Sequence, residues 1–445
     1  MQRRTFMQMA GASVLAASLT LRASGETPAG ALSEQEAFDL DVALAEIEAL
    51  GEGLLETVVP AEMTSVYEQD AAGQPVIRSV LTPDRADAVF PNPPITEELL
   101  AALKGQKYYD IPADQRETPV WPAVTSAPDY LHLAPFAAPP ETFVLTADLL
   151  ALLADRNSFT LRAEDPILVF GLRGCTLPDG VSTTGWVSEQ QLNVSTPTHL
   201  KLGCTMGLWR RSDGMIALFR AGTVPAVHYM FMGLAAGGSG ISLLPTGLYE
   251  YARGDHWAGK PNSIQRGALL IQDQYPVLRT AATLSYNPFL ETTAWTRGAG
   301  HNIHAAGPTD AYWSAGCQVI EGNYVNPDRV RTTGAWRSFR LMAGTVDTSG
   351  QPPAGGQKKF QYMLLTGREA ALAYHGASGF AETYRPLRFG SAGARVAALQ
   401  ARFLEDHGSA VQGLKETGKF DMATSFAALI DSKVSQGDFA TPISA

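Results

Sequence analysis

Positive charge is in short supply in this chain: 34 Lys and Arg stand against 44 Asp and Glu over 445 residues, a formal net charge of -10. A duplex-DNA binder needs a basic face to displace counterions from phosphates, so nucleic acid is excluded as an expected partner. Long apolar runs are also missing. Beyond the N-terminal segment no stretch reaches about 18 consecutive apolar residues, which excludes a membrane span in the mature chain. No repeat of fixed period is present, so a solenoid is not expected. Cysteine is rarest of all, with three copies, and histidine is also sparse, with eight. What is plentiful is core material, 45% of the residues being hydrophobic. That is enough for two to three globular domains at this length.

The first 25 residues carry Arg3, Arg4 and Phe6, then a short Ala-rich apolar run and Arg22. This pattern resembles a twin-arginine export signal, which implies a periplasmic or extracellular protein. Export alters how the cysteines read. In an oxidising compartment three cysteines suggest one pair and one free thiol. Cys175 and Cys204 sit at the ends of neighbouring apparent strands and are expected to form a disulfide, and Cys317 is left over.

Residues 26–140 form a partly helical N-terminal region whose role the sequence does not disclose. Ser33 and Glu36 make a capping-box pattern ahead of a helix that stops at Gly51, and a second short helix is expected from Thr96 to Lys104. From residue 141 a helix capped by Thr146 gives way to short runs rich in aromatic and β-branched residues, among them "PILVFGLRG", "THLKLGCTMGLWRR", "GMIALFRAGTVPA", "GISLLPTGLYEYARG", "GALLIQDQYPVLRT" and "FQYMLLTG". These predict strands of a mixed or antiparallel sheet in one domain, residues 141–376. Residues 384–435 then predict a small all-α unit. One helix presents Val396, Leu399 and Phe403 on one face, and a second carries Phe426, Leu429 and Ile430. The expected fold class is therefore multidomain α+β.

The chemistry concentrates in "GHNIHAAGPTDAYWSAGCQVIEG", Gly300 to Gly322. A cysteine attacks a carbonyl as thiolate, so it needs a base within reach and access for substrate. His304 can be that base for Cys317. The small turn Ser314, Ala315, Gly316 lets the backbone close around Cys317 and supply N–H donors to an oxyanion. His301 and His304 also make an HxxH pattern, but no third metal ligand stands at a recognisable distance; Asp310 or Cys317 could complete it. The expectation is no metal and no cofactor, with His301 as a strand-edge residue or an orienter of the site. Trp313 and Tyr312 could wall a sugar or peptide, and Arg297 and Arg337 could clamp a substrate carboxylate. The remaining histidines, His132, His199, His228, His256, His375 and His407, share no spacing and are expected to be structural or on the surface.

"NIH…SAGC" resembles the signature of the L,D-transpeptidases, the YkuD-type cysteine enzymes of peptidoglycan, and "LLPTGLYEYARG" resembles the strand-turn segment that precedes it. The resemblance covers roughly residues 160–376. It implies Cys317 as nucleophile, His304 as catalytic histidine, and Ser314 and Gly316 as turn residues. Ala315 stands where the family has histidine, Ala305 where it has glycine, and Val319 where it has arginine or asparagine. "RPLRFGSAGARVAALQ", with Leu387, Gly390, Gly393, Val396, Leu399 and Gln400, resembles the three-helix peptidoglycan-binding domain. Together these imply an exported cysteine acyltransferase with peptidoglycan stem peptides and glycan as partners. An amidase, endopeptidase or L,D-carboxypeptidase, and a non-catalytic wall-binding protein, are the other readings.

Overall fold

The structure is a computed structural model. It describes residues 138–227, 242–256, 264–279, 300–307, 312–325, 330–376, 384–407 and 413–435, with a few single positions and short strands outside these ranges. The export-type segment, the Ser33–Gly51 helix and the Thr96–Lys104 helix lie outside the described residues.

Eight strands close into a barrel. In chain order they are β1 (Ile167–Arg173), β2 (Cys204–Arg210), β3 (Met215–Gly222), β4 (Gly247–His256), β5 (Gln265–Ile271), β6 (Ile303–Ala305), β7 (Gln318–Ile320) and β8 (Lys359–Thr366). Around the barrel the order is β4-β5-β6-β7-β3-β2-β1-β8, and β8 pairs back onto β4. Two contacts are parallel, β6 with β7 and β1 with β8; the others are antiparallel. The six apolar runs read from sequence all contribute a barrel strand, and the sheet is mixed, as expected.

Side chains alternate across a strand, so each strand feeds two cores. Val169, Met206, Leu208, Phe219, Tyr251, Leu269, Ile303, Ile320, Phe360 and Tyr362 fill the interior, where α2 (Gly334–Ala343) adds Trp336 and Phe339. The intervening residues Leu168, Phe170, Leu172, Ile216, Leu218 and Met363 face outward. They are covered by α1 (Ala147–Arg156), α3 (Gly367–Tyr374) and a small sheet of residues 142–146, 175–176 and 189–194. Burial on both faces is why β1 reads as the continuous apolar run "ILVFGLR". Thr146 caps α1 as predicted, accepting from the Leu149 N–H at 3.2 Å.

Gly207 lies directly across from Phe170 in the β1–β2 ladder, and a Cβ placed there would sit 2.1 Å from Phe170 Cζ. The ring is fully buried and has no room to swing away. Gly207→Ala is therefore expected to destabilise the fold by about 1–3 kcal/mol, read as a lower urea midpoint with unchanged slope.

The expected Cys175–Cys204 disulfide is corrected: all three cysteines are free thiols. The two are close, since Thr205 donates to the Cys175 carbonyl at 3.1 Å. Each sulfur is otherwise engaged, however. Cys175 Sγ points at the Leu172 carbonyl, and Cys204 Sγ accepts from Thr223 Oγ1 at 3.1 Å. Burial, and then the neighbouring Cys204, push the Cys175 thiol up, so it stays protonated.

In the C-terminal part, α4 (Ala394–His407) buries Val396, Leu399, Gln400 and Phe403, and α5 (Met422–Ser435) buries Phe426. The side chains of Leu429 and Ile430 lie outside the described residues. The segment leading into α4 is built into the barrel. Phe389 stacks on Tyr249, its carbonyl takes the Leu248 N–H, and Arg388 pairs with Glu369 in a fully buried ion pair. What the structure supports is a β-rich, sheet-dominated fold carrying a few helices. No helix among the described residues is long and apolar enough to cross a membrane.

Candidate active site

Barrel register sets His304 beside Cys317. β6 and β7 run parallel with Ile303 opposite Gln318 and His304 opposite Val319. Ile303, Ala305 and Ile320 face the interior, and Gln318 does too, because its Oε1 accepts from the buried Tyr362 hydroxyl at 3.1 Å. Alternation then turns His304 outward, together with Cys317 at the mouth of β7. The two are diagonal neighbours on one face of adjacent strands.

His256 joins them. At the end of β4 the register shifts between Gly254 and His256, a bulge of the kind that re-aims a side chain. By register β5 passes between β4 and β6 with Ala268 opposite Gly254. A methyl at this place lets two rings meet above it. The His256 and His304 rings stack with centroids 4.7 Å apart and planes 5° from parallel. One ligand-type atom from each of His256, His304 and Cys317 lies within 4.8 Å of the others.

Hydrogen bonds fix the tautomers. His304 Nδ1 lies 2.8 Å from the Ala305 carbonyl, which can only accept, so the proton is on Nδ1 and Nε2 holds the lone pair of a base. Asn302 Oδ1 accepts from the Ile271 N–H at 3.0 Å, so its Nδ2 donates to His256 Nδ1 at 2.9 Å. His256 therefore carries its proton on Nε2. Burial lowers its pKa to about 3, so it is neutral at ordinary pH.

Cys317 is 3% exposed, and its thiol donates to the Gly300 carbonyl at 3.1 Å. Ser314 builds the turn: its Oγ donates to the Cys317 carbonyl at 2.7 Å and accepts the Gly316 N–H at 3.1 Å. The Gly316 N–H, expected to face an oxyanion, is thus spent inside the turn. Gly316 has φ +152, and a Cβ there would meet the Ser242 carbonyl at 2.6 Å and His301 Nε2 at 2.7 Å. His301 is locked between Ser242 Oγ at 3.0 Å and the Tyr275 hydroxyl at 3.1 Å, with the Tyr251 hydroxyl on its carbonyl at 2.6 Å.

The other expected residues fare differently. Trp313 is buried, its indole over Gly307, and Tyr312 is buried with its hydroxyl on the Thr198 and Pro225 carbonyls. Both pack rather than wall a groove. Arg337 sits on the exposed face of α2, while Ala335, Trp336 and Phe339 of that helix face the barrel. The Arg297 side chain and Asp310 lie outside the described residues.

A metal ion is a poor fit to the cluster. His256 has no lone pair to spare for an ion, because Nδ1 accepts from the Asn302 amide and the ring proton is therefore on Nε2. The arrangement suits proton transfer from sulfur to the His304 imidazole. No protein-family model, curated protein or solved structure matches the chain.

Proposed function

We propose that the chain is an exported cysteine acyltransferase acting on peptidoglycan stem peptides. The observation that carries this reading is the placement of Cys317 and His304 on one face of adjacent parallel strands, within 4.8 Å, with His304 Nδ1–H held by its neighbour's carbonyl. His304 Nε2 takes the thiol proton. Sγ then attacks the carbonyl of the L-centred diamino-acid residue, and the tetrahedral intermediate expels the terminal D-amino acid, whose amine receives the proton from His304. The acyl-enzyme passes to the amine of a second stem or to water. The substrate class rests on the "NIH…SAGC" signature and the wall-binding pattern after residue 384, and the export route on Arg3 and Arg4 ahead of the apolar run.

Incubating the purified chain with sacculi and separating the muropeptides tests the proposal. New cross-links are the expected product. Shortened or detached stems would assign the same nucleophile to hydrolysis, as in a carboxypeptidase, amidase or endopeptidase. Unchanged muropeptides would overturn the enzymatic reading and leave a wall-binding protein.

A further inference from the structure

We propose that His256 is a third member of this site, a neutral imidazole whose Nε2–H is donated to the Cys317 thiolate and keeps it ionised. The inference rests on Cys317 as nucleophile, but not on the identity of the substrate.

Losing its proton changes what the Cys317 sulfur needs from its surroundings. As a thiol, Cys317 is satisfied by the Gly300 carbonyl at 3.1 Å. As a thiolate it has nothing to donate, and a carbonyl oxygen faces it with its negative end. The thiolate needs an N–H in reach. His304 cannot supply one in the resting state: its single proton is on Nδ1, committed to the Ala305 carbonyl. His256 can. The chain Ile271 N–H to Asn302 Oδ1, and Asn302 Nδ2 to His256 Nδ1, leaves the His256 proton on Nε2. The stacked pair thus offers sulfur one accepting nitrogen and one donating nitrogen, each doing what the other cannot.

The transfer balances within these groups. The S–H bond breaks, its proton forms a bond to His304 Nε2, and no covalent bond of His256 changes. His304 becomes a cation with an uncharged ring lying flat against it, a favourable cation–π arrangement that a second imidazolium would turn into repulsion. Among the described residues, the titratable groups around the pair are engaged elsewhere. Tyr251 and Tyr275 give their hydroxyls to His301, which is itself held by Ser242, and Asp255 beside His256 pairs with Arg266 at 3.1 Å.

Alkylation of Cys317 by iodoacetamide in the full chain, followed at the peptide level across pH, reads the thiolate directly and needs no wall substrate. His256→Phe keeps a flat ring on His304 and removes the donor. It is expected to raise the apparent thiol pKa by about one unit and slow alkylation near neutrality about tenfold. His256→Gln, which restores an N–H, is expected to recover most of that loss. Asn302→Leu, which leaves His256 in place but frees its tautomer, is expected to show an intermediate shift and keeps the test open if the Phe variant does not fold. An unchanged pKa in the folded Phe and Leu variants would overturn the proposal. So would stoichiometric zinc binding that needs both His256 and Cys317, which would make the cluster a chelate. If the pKa shift is found while sacculi are untouched, the donor role of His256 stands and the cell-wall reading falls.

Discussion

Cys317→Ala is expected to abolish acyl-enzyme formation, and His304→Gln to slow it by about 10²- to 10⁴-fold. The two losses differ in kind. Without Sγ there is no atom to hold the acyl group, whereas without the imidazole the thiolate forms only through solvent. Loss of the base therefore has a pH signature. In the His304 variant the rate should climb steeply towards alkaline pH, where hydroxide replaces the missing acceptor, while the wild-type profile is flat there. Acylation by a thiol-reactive carbapenem, followed by intact mass, measures both variants. A His304→Gln enzyme that matches the parent at neutral pH would remove His304 from the mechanism. The substitution is mild structurally, because a glutamine amide can still donate to the Ala305 carbonyl.

A second large effect is expected from acid. His199 and His256 are buried and neutral; burial lowers them from 6.5 to about 4 and about 3, with Arg173 a minor further cause for His199. An unfolded chain takes up these protons first, so below about pH 6.5 the unfolded state binds more protons than the folded one. Stability is therefore whole above pH 6.5 and drains away as the pH falls towards the folded values. The loss is roughly 3 kcal/mol for His199 alone, taking about 1.4 kcal/mol per pH unit. Urea midpoints at about pH 7 and about pH 4.5 give the test. His199→Gln, which can still donate to the Pro225 carbonyl, should lose distinctly less stability between those two conditions than the parent. Equal losses would show that His199 does not carry the effect.

Six strands of the sheet were legible, because they are buried on one or both faces and spell this out as apolar and aromatic runs, whereas closure of the sheet into a barrel was not. β6 and β7 were not. "IHA" and "QVI" are three residues each, with no propensity signal of their own, and they are strands because their neighbours supply both edges. α2 went unread although Trp336, Phe339 and Ala343 recur at helical spacing before a left-handed Gly344, a signal that was available. Within the site, Cys317, His304 and Ser314 were visible because the turn and the histidine lie 13 residues or fewer from the sulfur. His256 lies 48 residues before His304, and only the bulge at Gly254 and the small Ala268 bring the rings together. Spacing along the chain carries no trace of that. The disulfide expectation failed for a related reason: proximity of Cys175 and Cys204 was readable, but the orientation that gives each sulfur another partner was not.

The segment from Arg388 to Ala392 is pinned to the barrel and its flanking elements. Glu369 holds Arg388, Tyr249 holds Phe389, and the Ser158 carbonyl takes the Ala392 N–H at 2.7 Å, while a Cβ at Gly390 would collide with the Leu248 carbonyl at 2.4 Å. A joint clamped at three points within five residues is a weld, not a tether. The start of the terminal helices is therefore fixed to the barrel at one angle and one reach, so any movement at that end of the chain would be felt at the β4 edge.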